Sequence, residues 1–144
     1  MRLPEAVVAI LGQAHTIAVV GLSSNPARPS HGVARYLQQQ GYRIVPVNPA
    51  ESAVLGEPAY PDLEQAAAAV GAIEIVDVFR RSEFVPEIAA AAIRIGARLL
   101  WLQEGVMHAE AEQQARAAGL LVIANHCLLK EHARLREAAS GEKK

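Results

Sequence analysis

Short apolar runs alternate with alanine-rich stretches along this chain, and a glycine punctuates most of the joins. Four times a helical pattern ends at a glycine and gives way to a β-branched run. The joins are Gln40-Gly41 before residues 43–47, Val70-Gly71 before 73–78, Ile95-Gly96 before 98–102, and Ala118-Gly119 before 120–124. Glycine after a helix supplies the left-handed conformation that ends it. These glycines are 30, 25 and 23 residues apart, about the length of one strand–helix unit each. A fifth apolar run, residues 16–21, precedes the first of them. Ile17-Ala18-Val19-Val20 and Ile75-Val76-Asp77-Val78-Phe79 are nearly continuous rather than alternating, the pattern of strands covered on both faces of a parallel sheet.

The periodicity predicts helices over residues 4–13, 32–40, 62–69, 86–95, 109–118 and 129–138, and the tail 140–144 is expected to fray. Alanine contributes 28 residues and concentrates in these stretches, as suits helices lying close on a sheet. Asp62 reads as an N-cap and Pro86 as a first-turn residue. Five strands with right-handed crossovers make an α/β, doubly wound parallel sheet with helices on both faces, expected in the order 3-2-1-4-5. Residues 1–144 read as a single domain.

Composition narrows the function classes. The 144 residues carry 14 Lys+Arg against 15 Asp+Glu, a net charge of −1, and no basic stripe of the kind that neutralises nucleic-acid phosphates. No apolar run approaches the ~18 residues of a membrane span, and Pro4 and Glu5 interrupt the apolar region that a secretory peptide needs. One cysteine forms no internal disulfide, and no Cys/His spacing resembles a metal site. The expectation is a cytoplasmic domain free of metal, nucleic acid and membrane, with a protein partner or self-association left open.

In a doubly wound sheet the ligand lies beyond the carboxyl ends of the strands. The first such loop reads Gly21-Leu22-Ser23-Ser24-Asn25-Pro26-Ala27-Arg28-Pro29-Ser30-His31-Gly32. Gly21 permits close backbone approach, hydroxyls and N–H groups can donate to phosphate, and the next helix start adds a positive dipole. Arg28 brings a permanent charge whose fork suits phosphate oxygens. A dinucleotide fingerprint needs G-x-G-x-x-G here and an acid about 20 residues on. Position 23 is Ser, and the second strand ends Val47-Asn48-Pro49 without an acid, so ordinary NAD binding is disfavoured. No Gly-Lys-Ser/Thr occurs, so a Walker loop is absent too. The third strand ends in Phe79-Arg80-Arg81, two arginines and an aromatic at the mouth of the cleft, with Arg80 expected to face a ligand and Arg81 the solvent. The alternative for that pair is a solvated one with its stems over the sheet edge. Cys127 reads as a small buried hydrophobe, Asp77 as a carboxylate hydrogen-bonded to backbone, and Trp101 as core. No nucleophile–base–orienter set can be assembled from spacing, so no catalytic residue is assigned.

Together these residues resemble the stand-alone CoA-binding domain proteins, which are similar to the N-terminal domain of the succinyl-CoA synthetase alpha subunit. The resemblance rests on Ile17-Ala18-Val19-Val20-Gly21-Leu22-Ser23, Arg28-Pro29-Ser30, Gly41-Tyr42-Arg43-Ile44-Val45-Pro46-Val47-Asn48-Pro49, Leu55-Gly56-Glu57, Val76-Asp77-Val78-Phe79-Arg80-Arg81, Gly96-Ala97, Trp101-Leu102-Gln103 and Cys127, in that order, from about Thr16 to Leu135. It implies a Rossmann-like fold that binds CoA or a small acyl-CoA. Carried over by position, Gly21, Leu22, Ser23, Ser24 and Asn25 would hold phosphate, while Asn48, Pro49 and the Phe79-Arg80-Arg81 turn would flank nucleotide and pantetheine. Gln103 stands where the synthetase has the Thr of a Thr-Glu-Gly turn. The synthetase's phosphorylated histidine belongs to a second domain that has no counterpart in these residues. A non-catalytic binding module, acting as carrier, sensor or presenting subunit, is therefore the first reading. A subunit of an acyl-CoA ligase or a thioester-processing enzyme using Cys127 or His126, and an NAD(H)-binding redox sensor, are the alternatives.

Overall fold

The computed structural model describes residues 1–142. Its elements run α1 (Glu5–Gln13), β1 (Thr16–Val20), α2 (Pro29–Gln39), β2 (Arg43–Val47), β3 (Ala53–Val54), β4 (Glu57–Pro58), α3 (Leu63–Val70), β5 (Ile75–Val78), α4 (Val85–Arg94), β6 (Leu99–Leu102), α5 (Ala109–Ala117), β7 (Leu121–Ile123) and α6 (Leu128–Glu142). The four glycines that close the helical patterns, Gly41, Gly71, Gly96 and Gly119, all have positive φ. Asp62 caps α3 by accepting the Gln65 N–H at 2.8 Å, and Pro86 lies in the first turn of α4.

All five long strands are parallel, and alternation along them feeds two separate cores. Ala18, Val20, Val76, Val78, Leu100 and Leu102 pack beneath α3, α4 and α5, against Leu63, Ala66, Val85, Ile88 and Ala111. Ile17, Val19, Ile75, Leu99 and Trp101 face the other way, against Val7 and Ile10 of α1, Val33 and Leu37 of α2, and Leu128 of α6. The sheet is therefore Rossmann-like, covered on both faces, as the continuous apolar runs require. Trp101 is fully buried, and its indole N–H donates to the His126 carbonyl at 2.8 Å, so the core's largest side chain leaves no donor unpaired.

The strand order corrects the expected 3-2-1-4-5. It is β2-β1-β5-β6-β7, so the third long strand returns across β1 instead of extending the sheet beyond β2. The reason is visible at Pro46. Proline has no N–H to give a ladder and belongs on an edge strand, whereas the expected order would have enclosed β2 between two neighbours. Here the Pro46 carbonyl faces the open edge and accepts the Tyr60 N–H at 3.0 Å. The fold also adds the β3–β4 hairpin, antiparallel with Ala53 opposite Pro58, inside what the sequence reads as one loop. Two helix boundaries move by more than one residue. Helix α2 starts at Pro29 rather than residue 32, because proline is preorganised for the first helical position. Ser140 through Glu142, expected to fray, continue α6, and Lys143 and Lys144 lie outside the described residues.

Candidate functional site

With β1 between β2 and β5, the direction of winding reverses beside β1, and a crevice opens beyond the strand ends there. Gly21 makes the convergence of the strand ends possible. It has φ +88, and a β-carbon built on it would lie 2.5 Å from the Phe79 carbonyl oxygen and 3.1 Å from the Arg80 side chain. Its N–H donates to the Val47 carbonyl at 2.8 Å, and the Phe79 N–H donates to the Val20 carbonyl at 2.8 Å. The ends of β1, β2 and β5 are thereby held together.

The loop after Gly21 is ordered by its own polar groups. Ser23 donates its N–H to Ser30 Oγ at 3.1 Å, its hydroxyl accepts the Asn25 N–H at 3.0 Å, and Asn25 Oδ1 accepts the Ala27 N–H at 3.0 Å. From the β2 side, Asn48 Nδ2 donates to the Leu22 carbonyl at 3.0 Å. The Ser24 N–H holds an anion already: it donates to the Glu51 carboxylate at 2.6 Å. That backbone bond is the main reason the Glu51 carboxyl is held below its ordinary range. Helix α2 opens with no side-chain cap on its first turn, which leaves its positive end facing the crevice.

Across the crevice the two arginines part company. The Arg80 guanidinium carbon lies 4.1 Å from the centre of the Phe84 ring, a cation–π contact, and its side chain is half-buried. Arg81 sits 5.4 Å from the same ring, pairs with Glu83 at 3.1 Å, and is 79% exposed. At the ends of β6 and β7 stand Gln103 and Cys127. The Cys127 thiol is free and half-buried at the head of α6. Asp77 is fully buried in the middle of β5, and its partner is a side chain rather than backbone: Gln103 Nε2 donates to Asp77 Oδ1 at 2.7 Å. Burial raises the Asp77 pKa to about 7, with the Gln103 bond acting the other way.

Three neighbouring cavities line this edge. Gly21, Ser23, Arg28, Ser30, Asn48 and Phe79 surround one of about 330 Å³. Val47, Pro49, Asp62, Arg80 and Arg94 help line a second, of about 260 Å³. Phe79, Arg80, Arg81, Gln103, Val106 and Cys127 help line the third, of about 420 Å³. Phe79 and Pro29 join the first to the third, and Arg80 joins the second to the third.

Nine of the residues singled out in the sequence thus meet at one edge: Gly21, Ser23, Arg28, Asn48, Pro49, Phe79, Arg80, Arg81 and Gln103. Leu22 does not join them through its side chain, which is fully buried in the core; its carbonyl serves Asn48 instead. Ser24 and Asn25 do not line the three cavities. Sequence reasoning missed Glu51, which reaches Ser24 from 27 residues away, and no local pattern announces that contact. Ser30 was legible only as part of a motif, although it is 4% exposed and anchors the loop.

The fold and this edge define a doubly wound α/β domain of the Rossmann-like class, with its crevice at the topological switch point. Residues 15–133 match the family described as the CoA binding domain, and the chain belongs to that family. The uncharacterized protein YneT of Bacillus subtilis (strain 168) is 41% identical over 124 residues, covering 86% of this chain and 90% of its own. A hypothetical protein from Pyrococcus horikoshii OT3 superposes with a TM-score of 0.85 at 37% identity, covering 91% of this chain and 90% of that one. The dinucleotide forming acetyl-coenzyme A synthetase 1 of Ca. Korarchaeum cryptofilum shares the fold at 20% identity, with a TM-score of 0.69 over 82% of this chain and 28% of that one. Among the described residues no helix is long and apolar enough to cross a membrane. No group of three His, Cys, Asp or Glu side chains there could hold a metal ion.

Proposed function

We propose that this chain binds CoA or a small acyl-CoA as a module without catalysis of its own. The observation that carries the reading is the run of three adjoining cavities along the switch-point edge. Membership of the CoA binding domain family supports it. CoA is a nucleotide joined through a pyrophosphate to a long, mostly apolar arm, and the cavities differ in a matching way. The phosphates belong at Gly21, Ser23 and Arg28, where a helix start and a guanidinium favour negative charge. The Ser24 N–H lies outside the cavity that these residues line and donates to the Glu51 carboxylate, so a phosphate reaches it only by displacing that carboxylate. The nucleotide end belongs beside Asn48, Pro49 and Arg80. The pantetheine arm then runs along Phe79 toward Gln103 and Cys127.

A thermal-shift series with CoA, NAD and ATP tests the reading. At 100 times its Kd a ligand stabilises the folded state by about 2.7 kcal/mol, which for a chain of this size raises Tm by roughly 8 °C. CoA is expected to exceed equimolar NAD, since β2 ends in Asn48 and offers no ribose-binding acid. Equal or greater stabilisation by NAD overturns the assignment.

A further inference from the structure

We propose that Asp77 is a positioning residue that turns the Gln103 side-chain carbonyl into the third cavity. That end of the site then accepts a hydrogen bond from an N–H of the ligand's arm, and protonation of Asp77 reverses the display. The proposal rests on the CoA reading and names the group that the arm's secondary amides meet.

The geometry leaves little choice. Asp77 is fully buried on the central strand of the sheet. As a carboxylate it can only accept, so the Gln103 amide must turn its NH₂ inward, and Nε2 lies 2.7 Å from Oδ1. Gln103 is itself 4% exposed, yet it lines the cavity beside Phe79, Val106 and Cys127. The backbone on either side is pinned: its N–H donates to the Val78 carbonyl at 3.3 Å and its carbonyl accepts the Val106 N–H at 2.9 Å. Among the described residues the one sealed polar side-chain atom without a partner is Asp77 Oδ2. The Gln103 Oε1 atom is therefore not sealed, and Gln103 lines the third cavity.

Proton uptake inverts the arrangement without moving a heavy atom far. Protonated Asp77 becomes a donor, and a half-turn of the Gln103 amide lets Oε1 receive that proton while Nε2 swings outward. An arm N–H would then meet a donor instead of an acceptor. Burial places this titration near neutrality, at about 7. The titratable side chains turned inward on this face of the sheet include His31 and Tyr36 of α2, buried Tyr42, Cys127 at the head of α6, and Glu131 and His132 within α6, with Arg80 and Arg81 on the cavity wall. The causes of the Asp77 shift are burial and the Gln103 bond, with no charge among them.

The test is calorimetric titration of the wild-type chain, Asp77→Asn and Gln103→Met, at pH 5.5 and pH 8.5. The ligands are CoA and adenosine 3′,5′-bisphosphate, which has phosphates and no arm. Asparagine can face Gln103 with either its oxygen or its nitrogen, so it no longer dictates the display. The ratio of wild-type to Asp77→Asn affinity for CoA is expected to fall about fivefold from pH 8.5 to pH 5.5, the weight of one hydrogen bond. Taking the ratio cancels the titration of the ligand's own phosphates. Gln103→Met should weaken CoA about fivefold at pH 8.5 only, and the bisphosphate should give constant ratios for both variants. A constant ratio for CoA, or a bisphosphate ratio that moves with pH, overturns the proposal while leaving the CoA reading in place. Absence of CoA binding by the wild type at both pH values overturns the CoA reading itself.

Discussion

Asp77 also sets how stability depends on pH, independently of any ligand. Its pKa is raised from 3.8 to about 7, so between roughly pH 4 and pH 7 the folded chain holds a proton that the unfolded chain releases. Stability contributed at this site is therefore highest at low pH, falls as pH rises through that window, and is level above it. About three pKa units correspond to roughly 4 kcal/mol. Replacing Asp77 by Asn removes the charge and the slope. The variant's amide pairs with Gln103 through one end and leaves its other buried end without a partner, at a cost of about 1–3 kcal/mol. The expected outcome is an Asp77→Asn chain more stable than wild type by about 1–3 kcal/mol at pH 8, and level with it or slightly weaker near pH 4.5. Urea unfolding at both pH values, followed through the fluorescence of fully buried Trp101, measures it. Other titrating groups, Glu51 and His132 among them, are common to both chains and cancel in the difference. A difference between the two chains that stays the same at pH 4.5 and pH 8 would refute the reasoning, because Asp77 would then carry no coupled proton.

Two further outcomes concern the crevice. Gly21→Ala should lose roughly 2–4 kcal/mol of stability in urea unfolding, from a strained φ combined with overpacking against the Phe79 carbonyl; wild-type stability would mean the strand ends are not held as described. Arg80→Ala should weaken CoA about tenfold to a hundredfold in calorimetric titration, the weight of a hydrogen bond to a charged oxygen. Arg81→Ala should do less, given its exposure and its pairing with Glu83. Of these arginines and Arg28, one on the 3′-phosphate loses the discrimination between CoA and dephospho-CoA when truncated. Wild-type binding by all three alanine variants would move the site elsewhere.

The parts of this molecule legible in its sequence are those fixed by short-range chemistry. Four glycines mark helix ends because each takes a positive φ there, and continuous apolar runs mark strands covered on both faces. Strand order was also written in the sequence, at one residue. Pro46 lacks the donor an interior strand needs, and weighing it would have set β2 at the edge. Other features depend on contacts between distant residues. Asp77 finds Gln103 26 positions away, and Ser24 finds Glu51 across 27; an apolar strand containing one acid does not say what the acid faces. Leu22 shows the opposite limit. A motif places it in a phosphate loop, but its side chain has the size and polarity of core and goes there.

The corrected strand order changes what the site can be. In the order 3-2-1-4-5 the first strand would neighbour the fourth at the switch point, and the Phe79-Arg80-Arg81 turn would lie at the far edge of the sheet, beyond β2. In the order found, β5 pairs with β1 from Ile17 opposite Ile75 to Val20 opposite Val78, which carries Phe79 and Arg80 directly against Gly21. The strand ends then follow one another as Asn48, Gly21, Phe79 and Gln103 along a single edge. An elongated ligand can touch all four without bending around the sheet. Gly21 is the point in that row that admits no side chain, since a β-carbon there would collide with the backbone of Phe79. One glycine thus joins fold to site: it lets β1 and β5 end side by side, and their ends are where phosphate and arm would part.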